Sequence, residues 1–236
     1  MILLCKWVIK YVVFNFFVKK NQIKSKVFTY HDITIGRTFD DYSVSLKTFE
    51  NHVDTVYKMG YEIVSIENVK KINHENFLVF TFDDGCRGII EAAKILKKYN
   101  FTATFFITTD FVGKHGFVTW LDLTKIKEMG FQIGSHSKSH KMLSNLGDLE
   151  SSLEFKESKK CIEDNLNISV NLFAFPYGQK NTFKKTQYLQ LKKLGYIKCF
   201  TQIPKNQNKN DLINNFLIGR AGIKSFYNLY KFKSLI

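Results

Sequence analysis

The order of segments along the chain predicts an α/β fold built on a mainly parallel sheet. Three observations carry that expectation. Short apolar runs alternate with stretches of helical period, glycines 60, 130 and 195 close three of those stretches, and polar residues fit for chemistry collect where the apolar runs end. Residues 27–30 read as a strand ending at His31-Asp32. Residues 45–59 place Leu46, Phe49, Val53 and Val56 at helical spacing before Gly60. Strands follow at 61–66 and 77–82, a helix at 88–99, a strand at 102–108, a helix at 121–129 and a strand at 131–135. A long helix at 149–165, a strand at 170–175, a helix at 183–194 and strands at 196–201 and 215–218 complete the series. Parallel α/β folds gather their chemistry at the carboxyl ends of strands. His31, Asp83, Asp84, His136, His140, Pro176 and Tyr177 all fall there, which points to one shared site.

At 236 residues and 44% hydrophobic, the chain can bury one core, and no Pro/Gly/Ser-rich linker divides it. The net charge of +14 is compatible with nucleic acid, an anionic membrane or an acidic substrate. Its lysines, however, come as short pairs spread over the whole chain, and no basic region with heptads, RNP pattern or zinc finger accompanies them. No nucleic-acid partner is expected. Cys5, Cys86, Cys161 and Cys199 are far apart in a chain too large to depend on disulfides, so they read as free thiols. Cys86 directly follows Asp84-Gly85 and, with no base of its own, reads as a packing residue.

Residues 2–18 are the most apolar stretch, but Lys6 and Lys10 interrupt it, and no small-residue cleavage site follows, since the first alanine is Ala92. A basic amphipathic helix touching an anionic membrane through residues 1–20, or a helix packed on the domain, fits that pattern. The expected organisation is therefore an N-terminal segment at 1–25 and a catalytic domain at 26–236. The expected location is cytoplasmic or peripheral at the inner membrane, with an exported form left open.

Two segments carry the chemistry. Thr81-Phe82-Asp83-Asp84-Gly85 ends an apolar run with adjacent carboxylates, and His136-Ser137-Lys138-Ser139-His140 places two imidazoles four residues apart after another strand-like run. One carboxylate and two histidines make a three-ligand site with open positions, suited to a divalent metal that activates water. The other carboxylate is then free to act as general base. A metal-dependent hydrolase is implied.

These segments occur in a familiar order: Tyr30-His31-Asp32-Ile33, Thr-Phe-Asp-Asp-Gly, Thr104-Phe105-Phe106, Thr119-Trp120, Gly134-Ser135-His136-x-x-x-His140 and Phe173-Ala174-Phe175-Pro176-Tyr177-Gly178. From about residue 28 to 223 the chain resembles the polysaccharide deacetylases, the NodB-homology group called carbohydrate esterase family 4. The resemblance implies a distorted (β/α) barrel with fewer than eight regular strands. It implies Asp83 as general base, Asp84, His136 and His140 as metal ligands, and the backbone N–H of Tyr177 as a donor to the oxyanion. Zinc suits the ligand set, and cobalt, nickel or iron(II) would serve as well.

Two departures stand out. Ala174 occupies the position where many members carry an Arg paired with the base, so Arg220 is expected to supply that charge. The late Leu-x-His that provides the usual general acid is missing, because His140 is the last histidine. The Tyr-His-Asp start resembles the subgroup acting on poly-N-acetylglucosamine-type exopolysaccharides, in which His31 would lie by the metal and replace the acid. His115 is a weaker candidate, and His52 and His74 read as helix-face and loop residues. The implied activity is removal of acetyl from an N-acetylated amino sugar, polymeric or lipid-linked. A metal-holding carbohydrate-binding domain without turnover, or an O-acetyl esterase, are the other readings.

Overall fold

The computed structural model describes residues 26–35 and 40–236. The N-terminal segment at 1–25, with the membrane contact expected of it, lies outside the described residues. Eleven strands appear among them: β1 (Val27–Tyr30), β2 (Asp32–Thr34), β3 (Ser43–Ser45), β4 (Glu62–Val64), β5 (Phe77–Phe82), β6 (Thr104–Ile107), β7 (Gln132–Ser135), β8 (Leu172–Ala174), β9 (Lys198–Thr201), β10 (Leu217–Gly219) and β11 (Ala221–Gly222). The helices are α1 (Leu46–Lys58), α2 (Ile89–Lys98), α3 (Trp120–Glu128), α4 (Asp148–Leu166), α5 (Lys185–Lys193), α6 (Lys209–Asn214) and α7 (Leu229–Leu235).

All pairings between the named strands are parallel, and the main sheet runs β10-β9-β8-β7-β6-β5-β1-β11, with β4 on the first half of β5. Its two ends, β10 and β11, are consecutive in the chain and separated only by Arg220. The sheet therefore closes into a ring through a covalent seam, without a hydrogen-bonded pair there. Because β11 is a two-residue stub, this is the distorted barrel with fewer than eight regular strands that the motifs implied.

Strand parity assigns the two faces. Parallel register places Val27 beside Val79 and Thr29 beside Thr81, and carries the same face through Thr104, Phe106 and Gly134. That face fills the barrel with Val27, Val79, Phe106, Leu172, Ala174, Phe200 and Ile218, joined by Ile66 and Val69 of a 3-10 turn and Leu212 of α6. Gly134 belongs there because a Cβ would lie 2.6 Å from the Phe106 ring. The opposite face, Phe28, Tyr30, Phe80 and Phe82, packs with Phe49, Val53 and Val56 of α1, Ala92 and Leu96 of α2, and Phe232 of α7 in a second cluster. Burying a large side chain of this kind contributes about 1.5–3 kcal/mol.

Local signals position the helices. The Ser45 side chain caps α1 by accepting from the Thr48 N–H, and Thr119 forms a capping box with Asp122 ahead of α3. Helix and strand bounds fall within a few residues of those read from the sequence. Differences arise where tertiary contacts decide. The run at 61–66 is cut to β4 because the chain turns at Ser65, whose N–H donates to Thr102 Oγ1 (2.9 Å). The β2–β3 pair, β11, α6 and α7 escaped the periodicity, being too short to show one.

His52, read as a helix-face residue, is fully buried. Its Nδ1 lies 3.1 Å from Tyr30 Oη and its ring stacks 4.0 Å from that of Phe232. Burial without a charged partner holds its pKa down to about 4. The folded protein thus keeps His52 neutral where the unfolded chain, with an ordinary value near 6.5, takes up a proton. Stability should be complete above about pH 6.5 and fall as pH drops toward 4, with His52 accounting for up to about 3 kcal/mol. Urea unfolding of a His52→Leu variant should show a correspondingly flatter pH dependence than the parent. Parallel curves would contradict this.

Candidate active site

The Asp-Asp-Gly segment turns sharply at the end of β5. Asp83 continues the strand, donating its N–H to Tyr30 O (3.0 Å), while Asp84 and Gly85 both take positive φ, 71° and 86°. Asp tolerates this region better than most residues, and glycine is at home in it. The turn sends the two carboxylates to different places: Asp83 faces the barrel axis and is 1% exposed, whereas Asp84 projects into the mouth.

His136 directly follows β7, with its N–H on Ile107 O (2.9 Å) and its Nδ1 2.9 Å from Ala174 O. The chain then folds back through positive φ at Ser137 and His140 (67° and 59°), bringing His140 Nε2 to 3.1 Å from Asp84 Oδ1. Glu154 of α4 holds this loop: its Oε2 accepts the N–H groups of Lys138 and Ser139 at 3.0 and 2.8 Å. Sequence reasoning missed Glu154. The signal was a carboxylate on the buried stripe of a helix, between Ser151 and Ser158.

Asp84, His136 and His140 bring one ligand atom each within 4.8 Å of one another. The Nδ1 of His136 faces a carbonyl, so that nitrogen carries the proton and Nε2 presents a lone pair to Asp84 Oδ1 at 3.3 Å. Asp84 Oδ1 is buried without a hydrogen-bond partner among the described residues. Acceptors aimed at a common point repel unless a cation lies between them. The residues fit a divalent cation with N, N and O donors.

Asp83 is paired behind this triad. Arg220, fully buried in the seam between β10 and β11, donates from Nη1 to Asp83 Oδ1 and from Nη2 to Oδ2, both at 2.7 Å. Its other bonds run to Thr81 Oγ1 (3.0 Å) and Thr201 O (3.2 Å), and its guanidinium lies 5.4 and 5.7 Å from the Phe106 and Phe200 ring centres. Burial alone would raise the Asp83 pKa, but the Arg220 guanidinium outweighs it and leaves the carboxyl below its ordinary range.

A cleft of about 640 Å³ opens over these groups, lined by His31, Asp83, Asp84, His136, His140 and Tyr177 among others. Tyr177 has φ 62°, is half exposed, and places its ring 5.0 Å from that of His140. No partner takes its backbone N–H among the described residues. His31 packs edge-on against Tyr42 (4.9 Å), with Nδ1 buried and unpartnered among the described residues. Burial lowers its pKa, although Asp83 and Asp84 pull the other way. Cys86 also lines the cleft; burial, reinforced by Asp84, pushes its thiol up, away from nucleophilic use. His115 is exposed and does not line the cleft, and His74 lies 3.5 Å from Glu62. A second residue missed in the sequence is Gln202, whose Nε2 reaches Asp83 Oδ2 at 3.3 Å.

A nearly closed parallel barrel with a paired buried aspartate and an Asp-His-His triad at its mouth defines a NodB-type domain. The family model described as polysaccharide deacetylase matches residues 70–197, and the chain belongs to that family. The polysaccharide deacetylase homologue YxkH of Bacillus subtilis (strain 168) is 26% identical over 165 residues, covering 67% of this chain and 58% of YxkH. The chain thus spans less than two thirds of that relative. Among solved structures, BC0361, a polysaccharide deacetylase from Bacillus cereus, superposes with a TM-score of 0.74 at 23% identity, over 89% of this chain and 68% of its own. The Streptococcus pyogenes deacetylase PplD, solved in complex with acetate, gives 0.79 at 19% identity, over 91% and 99%. At these identities the structures establish a shared fold. Among the described residues no helix is long and apolar enough to cross a membrane.

Proposed function

We propose that the protein is a metal-dependent deacetylase that removes acetyl from an N-acetylated amino sugar of an envelope polysaccharide or its lipid-linked precursor. The observation that supports this most is the convergence of Asp84, His136 and His140 beside a separate carboxylate, Asp83, that has its own buried counterion. A divalent cation held by that triad, zinc on the donor set, would supply Lewis acidity to a water and to the acetyl carbonyl. Asp83 Oδ2 faces the triad, 3.8 Å from His136 Nε2, and takes the proton of the attacking water. Arg220, bonded to both oxygens, keeps Asp83 ionised and fixed beside the triad. The Tyr177 N–H stabilises the oxyanion, worth about 2.7–4 kcal/mol per donor in comparable sites.

Expelling an amine needs a proton, and His31 is the histidine left in the cleft once the ligands are assigned. Burial, by lowering its pKa, makes its protonated form a stronger donor. His31→Ala should lower kcat by about 10²-fold with metal retained, and unchanged kcat on an N-acetyl substrate would remove His31 from the mechanism. The reading as a whole is tested by acetate release from a panel of N-acetylglucosamine oligomers, O-acetylated sugars and lipid-linked sugars, with added zinc or cobalt. Release from N-acetyl substrates is expected. Release from O-acetyl sugars alone would make the protein an esterase, and bound metal with no acetate from any of them would make it a binding domain.

A further inference from the structure

The base and the oxyanion donor come from opposite parts of the barrel, Asp83 after β5 and Tyr177 after β8. Something must hold them in register. We infer that Gln202, at the end of β9, is the positioning residue that fixes Asp83 and the Pro176-Tyr177-Gly178 loop relative to each other; this rests on the deacetylase reading above.

Three contacts converge on Gln202. Its Nε2 donates to Asp83 Oδ2 at 3.3 Å, its backbone N–H donates to Gly178 O at 2.9 Å, and its carbonyl accepts from Gln179 Nε2 at 3.2 Å. The loop also lies flush against it: a Cβ on Gly178 would be 2.6 Å from Gln202 N and 3.0 Å from Gln202 Cγ, and Gly178 has φ 60°. That approach explains a glycine directly after Tyr177. The division of labour with Arg220 follows from the distances. Arg220 binds both carboxylate oxygens at 2.7 Å and supplies the countercharge, whereas the Gln202 amide is a neutral donor whose longer bond adds direction without charge. Gln202 lines the cleft, so its amide reaches Asp83 from the substrate side while Arg220 holds it from within the barrel. Reacting groups displaced by about 1 Å lose rate by up to about 10²-fold.

Gln202→Leu keeps the backbone bonds and the bulk but removes the donor, and Gln202→Glu keeps the shape while placing a negative charge against Asp83. Both should bind metal at parent stoichiometry and melt within a few degrees of the parent. Gln202→Leu should lose about tenfold in kcat with KM within about twofold, and Gln202→Glu should lose more than Gln202→Leu. Parent-level kcat in Gln202→Leu, a loss confined to KM, or parent activity in Gln202→Glu would each overturn the inference; the confined KM effect would mark Gln202 as a substrate contact. A parent protein that releases no acetate from any amino sugar would overturn the deacetylase reading itself, and this inference with it.

Discussion

Replacing Asp83 with asparagine should leave the metal site loaded and almost silence the enzyme. Asp84, His136 and His140 are untouched by the change, so metal content should equal that of the parent. The amide cannot take a proton from water, and loss of a positioned general base lowers turnover by about 10²–10⁴-fold. A second effect follows from burial. Arg220 is fully buried and binds both oxygens of Asp83, so the variant keeps a guanidinium in the barrel with no countercharge. Removing one partner of such a pair destabilises by about 3–5 kcal/mol. The surviving amide oxygen still accepts one hydrogen bond, which favours the lower end. Elemental analysis, acetate release and urea unfolding on one preparation test all three points. If Asp83→Asn were metal-free while Asp84→Asn stayed loaded, the two carboxylates would have exchanged roles.

His136→Ala and His140→Ala should each abolish acetate release by emptying the triad, but with different consequences for the fold. His136 is buried and its Nδ1 bonds the β8 carbonyl of Ala174, so its truncation opens a hole between β7 and β8 and breaks a cross-strand link. A loss of about 2–4 kcal/mol is expected, in the range of other large-to-small core changes. His140 stands at the mouth on a loop already held by Glu154, so its variant should unfold close to where the metal-free parent does. Metal affinity should fall in both by more than the roughly 10–100-fold that loss of an outer-shell partner brings. Exhaustive chelation of the parent should reproduce the inactivity, and returning divalent metal should restore it in the parent alone. Full activity after chelation would remove the metal from the mechanism.

What the sequence by itself determined was local. The Asp83-Asp84-Gly85 turn and the His136-x-x-x-His140 loop each carry their chemistry within a few residues, and both follow apolar runs that could be read as strands. The alternation of those runs with capped, glycine-terminated helices was enough to place His31, Tyr177 and both motifs at one end of a parallel sheet. Only the tertiary structure decided which distant groups meet. Arg220 lies 137 positions from Asp83 and reaches it because the ring closes at the β10–β11 seam, which turns that residue inward above Phe106 and Phe200. Ala174 is itself a small residue of the barrel interior. Glu154 and Gln202 belong to no motif; a helix stripe and a strand end give them meaning only once the His140 loop and Asp83 are packed against them. The same holds for β11 and α7, too short for a period and defined by what they pair with and bury. Backbone preference and hydrophobic period act over a few residues and are written in the chain, whereas pairing between charges depends on register and closure, which exist only once the sheet has formed.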